Sequence, residues 1–436
     1  MVDKEASMLT LTLSSLTLAV LWAAAPVTPR ATAFVDVAVL PMDSDRVHEK
    51  HTVVVLDGRI AELGPSAKVK APKEALIVDG RGKYLMPAIA EMHGHLPGPD
   101  VEDKVVRDLM FLFVANGVTI VRGMQGHPSQ LALRERILKG DIVGPMLNIG
   151  SPALTGRNAP DPEKGATLAR EYKTAGFDLL KIHEGLSVPT YDAIVAEARK
   201  SDLPFAGHVP DPVGLIHCLE AGQATIDHLD GYVDALGDDE SKIPSLVAAT
   251  KKAGTAVVPT MALWQVFNGT DTPESLAKRP ELRYVPPAMS AQWVESRKQA
   301  LASLDAKKGA RTLELRDKVL KALSDGGVTI LMGSDAPQQF SVPGFSLHRE
   351  MKAMASAGLS PYEILRSGTY NIADHFGARE SFGTVAVGRR GDLILLEADP
   401  RKDVGNMERR AGVLLRGQWL PEAEIQKRLD EIAKGR

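Results

Sequence analysis

With a single cysteine, Cys218, in 436 residues, the chain cannot close an internal disulfide or build a zinc site from thiolates. Cys218 sits in the helix-like run GLIHCLEAG and is expected to be a small buried apolar residue rather than a reactive thiol. Blocks of basic residues are also missing. Lys and Arg are scattered and the formal net charge is −3, which argues against a nucleic-acid surface and against a polybasic membrane patch. Internal repeats and low-complexity segments are absent. No charge occurs from Leu9 to Ala25, an apolar run followed by Pro26 to Ala33. It is marginal for crossing a bilayer but suits the core of a signal peptide, although Asp3 and Glu5 flank Lys4 in the segment before it. Residues 1–33 are therefore expected to be a signal peptide or N-terminal hydrophobic segment. Ala31-Thr32-Ala33 offers a cleavage site that would leave Phe34 first. The expected location is periplasmic or secreted, with no stable membrane partner after cleavage; a cytoplasmic chain is the alternative.

From Phe34 onward the chain is patterned. FVDVAVL, HTVVVLDGRIAELG and ALIVDGRGKYL alternate apolar and polar residues and carry Asp-Gly turns. SFGTVAVGRRGDLILLEADP and AGVLLRGQWL repeat that pattern near the other end. Between them stand eight strand-like runs: MPAIAEMH, GVTIVRG, PMLNIGS, FDLLKIH, PFAGHV, TIDHLD, TAVVPTM and VTILMGSD. Helix-length segments such as KVVRDLMFLFVANG and PEKGATLAREYKTAG separate them. Repeated strand–helix units point to an α/β protein with a (β/α)8 TIM barrel. A small β-sandwich domain built from both chain ends completes the expected layout. The divisions are 34–85 for its first part, 86–378 for the barrel, and 379–436 for its second part with a C-terminal helix. Residues 284–325 are expected to add one or two helices, serving as a lid or as the contact of a homo-oligomer.

Six metal-type ligands end these runs in order: His93, His95, Lys181, His208, His228 and Asp335. Polar residues at the C-terminal ends of parallel barrel strands converge on the face where that fold does its chemistry. His93 and His95 lie two apart on a strand and so share a face. Two imidazoles buried together would repel if charged and lack donors if neutral, which points to a metal between them. Four imidazoles, a carboxylate and a lysine suit a site for two divalent ions, with zinc the first expectation.

The chain resembles the metal-dependent amidohydrolase superfamily from about residue 34 to 420. The motifs that carry this are VVVLDGRIAELG, DGRGKYLMPAIAEMHGH, GHV, DHLDG and GSDAP, closed by LSPYEILRSGTYNIADHFG and GTVAVGRRGDLILL. Ala88 stands where a glycine is usual and Glu91 where an aspartate is usual. The resemblance implies that Lys181 carries a CO2-derived carbamate bridging two ions, and that Asp335 is both ligand and catalytic proton shuttle. It also implies attack on a carbonyl by metal-bound hydroxide. The branch it resembles contains Xaa-Pro dipeptidases, ochratoxinase-like amidases and imidazolonepropionases, although SPALTGRNAP lacks the Gly-Gly-His stretch usual there. The expected substrate is a small-molecule amide, either an N-acyl amino acid or a dipeptide-like compound, with ochratoxin-type amides included. A cyclic-amide or lactone hydrolase is the alternative, and a non-catalytic scaffold relative is the alternative of another class. Candidate substrate contacts are His183, His127, Arg157 with Asn158, Tyr232 and Trp264. His48, His51, His217, His348 and His375 are expected to be structural or solvated.

Overall fold

A computed structural model describes residues 31–237 and 239–436, so the apolar run Leu9 to Ala25 lies outside the described residues. The two chain ends build one sheet. Its N-terminal strands are β1 (Thr32–Val39), β2 (His48–Leu56), β3 (Arg59–Pro65), β4 (Leu76–Asp79) and β5 (Tyr84–Pro87). Asp57 and Gly58, with φ of 51° and 73°, make the β2–β3 hairpin turn that needs left-handed residues.

The middle of the chain supplies short parallel strands. Three of them, β6 (Ile89–Gly94), β7 (Val118–Gly123) and β8 (Met146–Ile149), form one sheet. Four more, β9 (Leu180–Ile182), β10 (Phe205–Gly207), β11 (Thr225–Asp227) and β12 (Ala256–Val258), form a second. Helices such as Asp103–Ala115, Pro162–Ala175 and Val188–Lys200 alternate with them, as the sequence pattern predicts. The eight-strand barrel is not one continuous ladder, however. Between the β8 segment and β9 there are only two isolated bridges, Gly150 with Leu179 and Leu154 with Ile182. The eighth run, VTILMGSD, forms no strand; it makes one bridge, Ile330 with Val257. It is held on both sides by separate backbone bonds: Leu331 N to Val257 O (2.8 Å), Met92 N to Met332 O (2.9 Å) and Asp335 N to His93 O (2.7 Å). The left-handed backbone of Asp335, φ 63°, breaks the regular pleat there.

Past the barrel region, β13 (Leu393–Leu396), β14 (Arg410–Leu415) and β15 (Gln418–Pro421) complete the terminal sheet. Its order is β15-β14-β13-β5-β1-β2-β3, with β4 beside β1. β5 pairs with β1 on one edge and β13 on the other, so hydrogen bonds run through all eight strands, and the sheet folds back far enough to bring β15 against β1. Phe34, Val53, Leu85, Leu393 and Leu414 form its core, and Trp419 packs edge-on to Phe34 at 5.3 Å. The sheet starts two residues before the predicted boundary, since Thr32 pairs with Val55 and Ala33 with Val54.

The segment expected to add one or two helices folds as Pro287–Ala302 and Ala306–Asp325. The second is a wall helix, not a lid. It buries Leu315, Arg316, Val319, Leu320 and Leu323 and packs on the helices Ile243–Ala253 and Met261–Asn268.

Candidate metal centre

All six ligand candidates line one cavity of about 310 Å³ at the ends of the parallel strands. Three of them draw close: one donor atom each from His93, His95 and Asp335 lies within 4.8 Å of the other two. Asp335 Oδ1 is 2.6 Å from His95 Nε2 and 3.6 Å from His93 Nε2. That oxygen is buried and accepts no hydrogen bond among the described residues. The other imidazoles follow in a chain of ring contacts, His93 to His228 at 4.3 Å, His228 to His208 at 4.7 Å and His208 to His183 at 4.2 Å.

Three of these imidazoles are turned by a hydrogen bond at Nδ1. His93 is bonded to Asp227 Oδ2 (2.7 Å), His208 to Asp230 Oδ2 (2.7 Å) and His228 to Thr260 Oγ1 (2.8 Å). For His93 and His208, a ring N–H given to a carboxylate leaves Nε2 with its lone pair free, the tautomer that a cation requires. Asp227 is in turn clamped by Arg122, whose Nη2 lies 3.2 Å from both carboxylate oxygens. Burial works against the charge on Asp227, but Arg122 and Lys181 hold its carboxyl below the usual range. Burial, with Lys181 nearby, keeps the His93 imidazolium far below its ordinary pKa, and burial with neighbouring imidazoles does the same for His228. Both rings are therefore neutral at pH 7.

Lys181 is 2% exposed and has no carboxylate within 4 Å among the described residues. Its Nζ lies 3.4 Å from His93 Nε2, and burial pulls its pKa down. Glycine is required beside it. A Cβ on Gly207 (φ 126°) would sit 2.5 Å from Ile182 O and 3.0 Å from Lys181 Cδ. The donor set, the orphaned Asp335 oxygen and the pre-turned imidazoles fit a divalent cation. His93, His95 and Asp335 would hold one ion, and Lys181, His208 and His228 supply the remaining candidate donors. Left-handed backbone gathers around the same point, at His228 (φ 63°), Leu229 (51°), Thr260 (46°) and Asp335 (63°). Such conformations cost of order 1–3 kcal/mol each and persist where the surroundings force them.

Among the weaker candidates, His183 and Trp264 line the metal cavity. Arg157 and Asn158 line a second cavity of about 840 Å³, which shares Gln125, His183 and Glu184 with the first. Two candidates fall elsewhere. His127 lines neither cavity; its Nδ1 accepts from Ser129 N (3.1 Å) and caps the helix Pro128–Leu138. Tyr232 is fully buried and bonded to Thr250 Oγ1 (2.7 Å), because Gly231 turns the chain away from the rim and into the core. His348 is buried against Asn116 and His217 pairs with Asp192, in line with structural roles.

Sequence reasoning passed over several groups. Asp227 and Asp230 flank His228 within DHLDG, and Arg122 is a charge inside the apolar run GVTIVRG; both were visible signals. Glu91 is fully buried and accepts from His93 N (3.0 Å) and Ser334 N (2.8 Å). Burial pushes its carboxyl up to about 8 in spite of those bonds. Leu263 and Phe267, which join Trp264 on one wall of the metal cavity, carried no signal.

The fold and the site define a class: an α/β scaffold whose parallel strands end in a shared imidazole–carboxylate cavity. The model of the Amidohydrolase family matches residues 84–420, and the chain belongs to that family. An adenine deaminase of Ruegeria sp. (strain TM1040) is 20% identical over 358 residues, covering 80% of this chain; the chain spans about half (51%) of that relative's length. Among solved structures, a bottromycin amidohydrolase superposes with a TM-score of 0.73 at 22% identity, covering 93% of this chain and 91% of the other. A Xaa-Pro dipeptidase with bound methionine gives 0.69 at 18% identity, covering 90% and 99%. At these identities the structural likeness concerns the fold.

Proposed function

We propose that this chain hydrolyses the amide bond of an N-acyl amino acid or dipeptide-like small molecule, in a site that takes two divalent ions and a carbamate on Lys181. The observation that carries the reading is Asp335 Oδ1, buried, 2.6 Å from His95 Nε2 and 3.6 Å from His93 Nε2, beside the cavity that all six donors line. Family membership and the amide-cleaving relatives support it. Zinc is the first expectation from imidazole and carboxylate donors. Divalent ions bound there supply Lewis acidity toward a carbonyl and lower the pKa of water.

The chain's own groups do the rest. Asp335 takes the proton released by the attacking water and delivers it to the leaving nitrogen, which cannot depart as an anion. Asp227, Asp230 and Thr260 keep the imidazoles aimed, so no reorganisation is needed during the reaction. Arg157 receives a substrate carboxylate in the outer cavity, and His183 stands where the two cavities meet. The same reading takes the parallel strands as a barrel closed by residues 328–336, the terminal sheet as a domain of its own, and the chain as exported.

Elemental analysis of active protein together with a substrate panel tests this. About two ions per chain and turnover of N-acyl amino acids or dipeptides are expected. One ion or none would refute the binuclear site. Activity confined to cyclic amides or lactones would refute the substrate class.

A further inference from the structure

Three buried charges converge on one eight-residue helix, Met261–Asn268, which supplies Leu263, Trp264 and Phe267 to the metal cavity. The helix has no side-chain cap of its own, since Thr260 Oγ1 is engaged with His228. The cap comes from far away in the chain. Glu350, fully buried on the helix Phe345–Ser356, accepts from Met261 N (2.9 Å) and Ala262 N (2.7 Å). At the other end Arg297, 1% exposed, donates to Gly269 O (2.6 Å) and Asp271 O (3.0 Å). Under the middle Arg316, 3% exposed, lies 4.1 Å from the Trp264 ring centroid and donates to His228 O.

A carboxylate at the helix N-terminus and a guanidinium past its C-terminus both match the helix dipole. Yet burial of an ion costs several kcal/mol, and neither arginine has a carboxylate within 4 Å among the described residues. Burial pushes the Glu350 carboxyl up to about 7. Apolar packing alone would hold a short helix at lower cost. What the three charges add is position: both ends are pinned and the indole is fixed from beneath. Leu263, Trp264 and Phe267 thus give the cavity one rigid, largely apolar wall, while the polar residues Gln125, His183 and Glu184 lead outward to Arg157.

We propose that Leu263, Trp264 and Phe267 form the subsite that selects an apolar, planar group next to the scissile amide, with Glu350, Arg297 and Arg316 as its positioning residues. This rests on the hydrolytic reading above and narrows its substrate to aryl-bearing amides with the polar end directed outward. A rigid apolar pocket rewards a matching ring by about tenfold or more.

The test compares 3-phenylpropanoate with propanoate as ligands of the intact metal-loaded protein, by calorimetry, alongside turnover of the corresponding N-acyl amino acids. Wild type should bind the phenyl compound about tenfold more tightly. Trp264→Ala should abolish that preference, and Trp264→Phe should keep most of it. Glu350→Gln and Arg297→Met should raise KM for the phenyl substrate about tenfold with much less change in kcat. Equal binding of the two probes by wild type would overturn the proposal. So would variants of Glu350 and Arg297 that lose metal and kcat while the phenyl preference stays intact. Phenyl preference without any turnover would refute hydrolysis and leave the wall standing; turnover of N-acetyl amino acids without that preference would do the reverse.

Discussion

The two adjoining cavities are built in opposite ways. In the inner one, about 310 Å³, two of the lining imidazoles are each held at two points. His93 is fixed by its strand and by Asp227, and His228 by Thr260 and by Arg316 at its carbonyl. The outer one, about 840 Å³, is lined by loop residues, and its cation Arg157 is exposed. Asn158 there spends its side chain on its own loop, accepting from Thr155 N (2.8 Å) and donating to Ala153 O (2.8 Å). Buried donors tolerate almost no displacement, because moving them leaves charges or lone pairs unsatisfied. An exposed arginine on a loop can be exchanged at little cost to the fold. Reaction chemistry should therefore be sensitive to the inner cavity, and substrate preference to the outer one.

The largest effect is expected at Asp335. Asp335→Asn should lower kcat for amides by roughly 10²–10⁴-fold, the usual worth of a positioned proton donor. The loss should be smaller for activated esters, whose leaving groups need no proton. Equal losses, measured by steady-state kinetics on matched amide and ester pairs, would make Asp335 a ligand only. Lys181→Ala comes next, nearly inactive and poor in metal by elemental analysis. Short carboxylic acids added in excess should restore part of the activity if they stand in for the proposed carbamate. Full turnover without them would remove Lys181 from the site.

One layer out, Asp227→Asn should weaken metal binding by about 10–100-fold, as loss of such partners commonly does. Metal titration against a chelator checks this, and unchanged affinity would mean that Arg122 and Asp227 serve the core alone. The smallest effect is expected in the outer cavity. Arg157→Ala should cost about tenfold in kcat/KM for substrates with a free carboxylate and little for their esters or amides. A uniform loss over both sets would erase the distinction between the two cavities.

Much of this site was legible along the chain. Short apolar runs ending in His or Lys place five of the six donors in or just past a strand, and the alternation of a strand puts His93 and His95 on one side whatever the rest of the fold does. The Asp-Gly turns of the terminal strands were equally local, because a left-handed pair needs residues such as Asp57 and Gly58. His127 and Tyr232 misled for a related reason. Each follows a strand, but a helix cap in one case and the turn at Gly231 in the other redirected the side chain, and strand periodicity carries no information past the strand's end.

The order and spacing of the donors, the strand–helix alternation and the presence of a single cysteine were thus settled by the sequence itself. Only the tertiary structure decided the rest. It joined both chain ends in one sheet by pairing β5 with β13 across the length of the barrel region. It also replaced the eighth strand with an irregular segment whose Asp335 is left-handed. And it brought Glu350, Arg297 and Arg316 from three separate helices to one short one. Long-range partners of this kind leave no periodic trace, because their hydrogen bonds and charges are satisfied across space rather than along the chain.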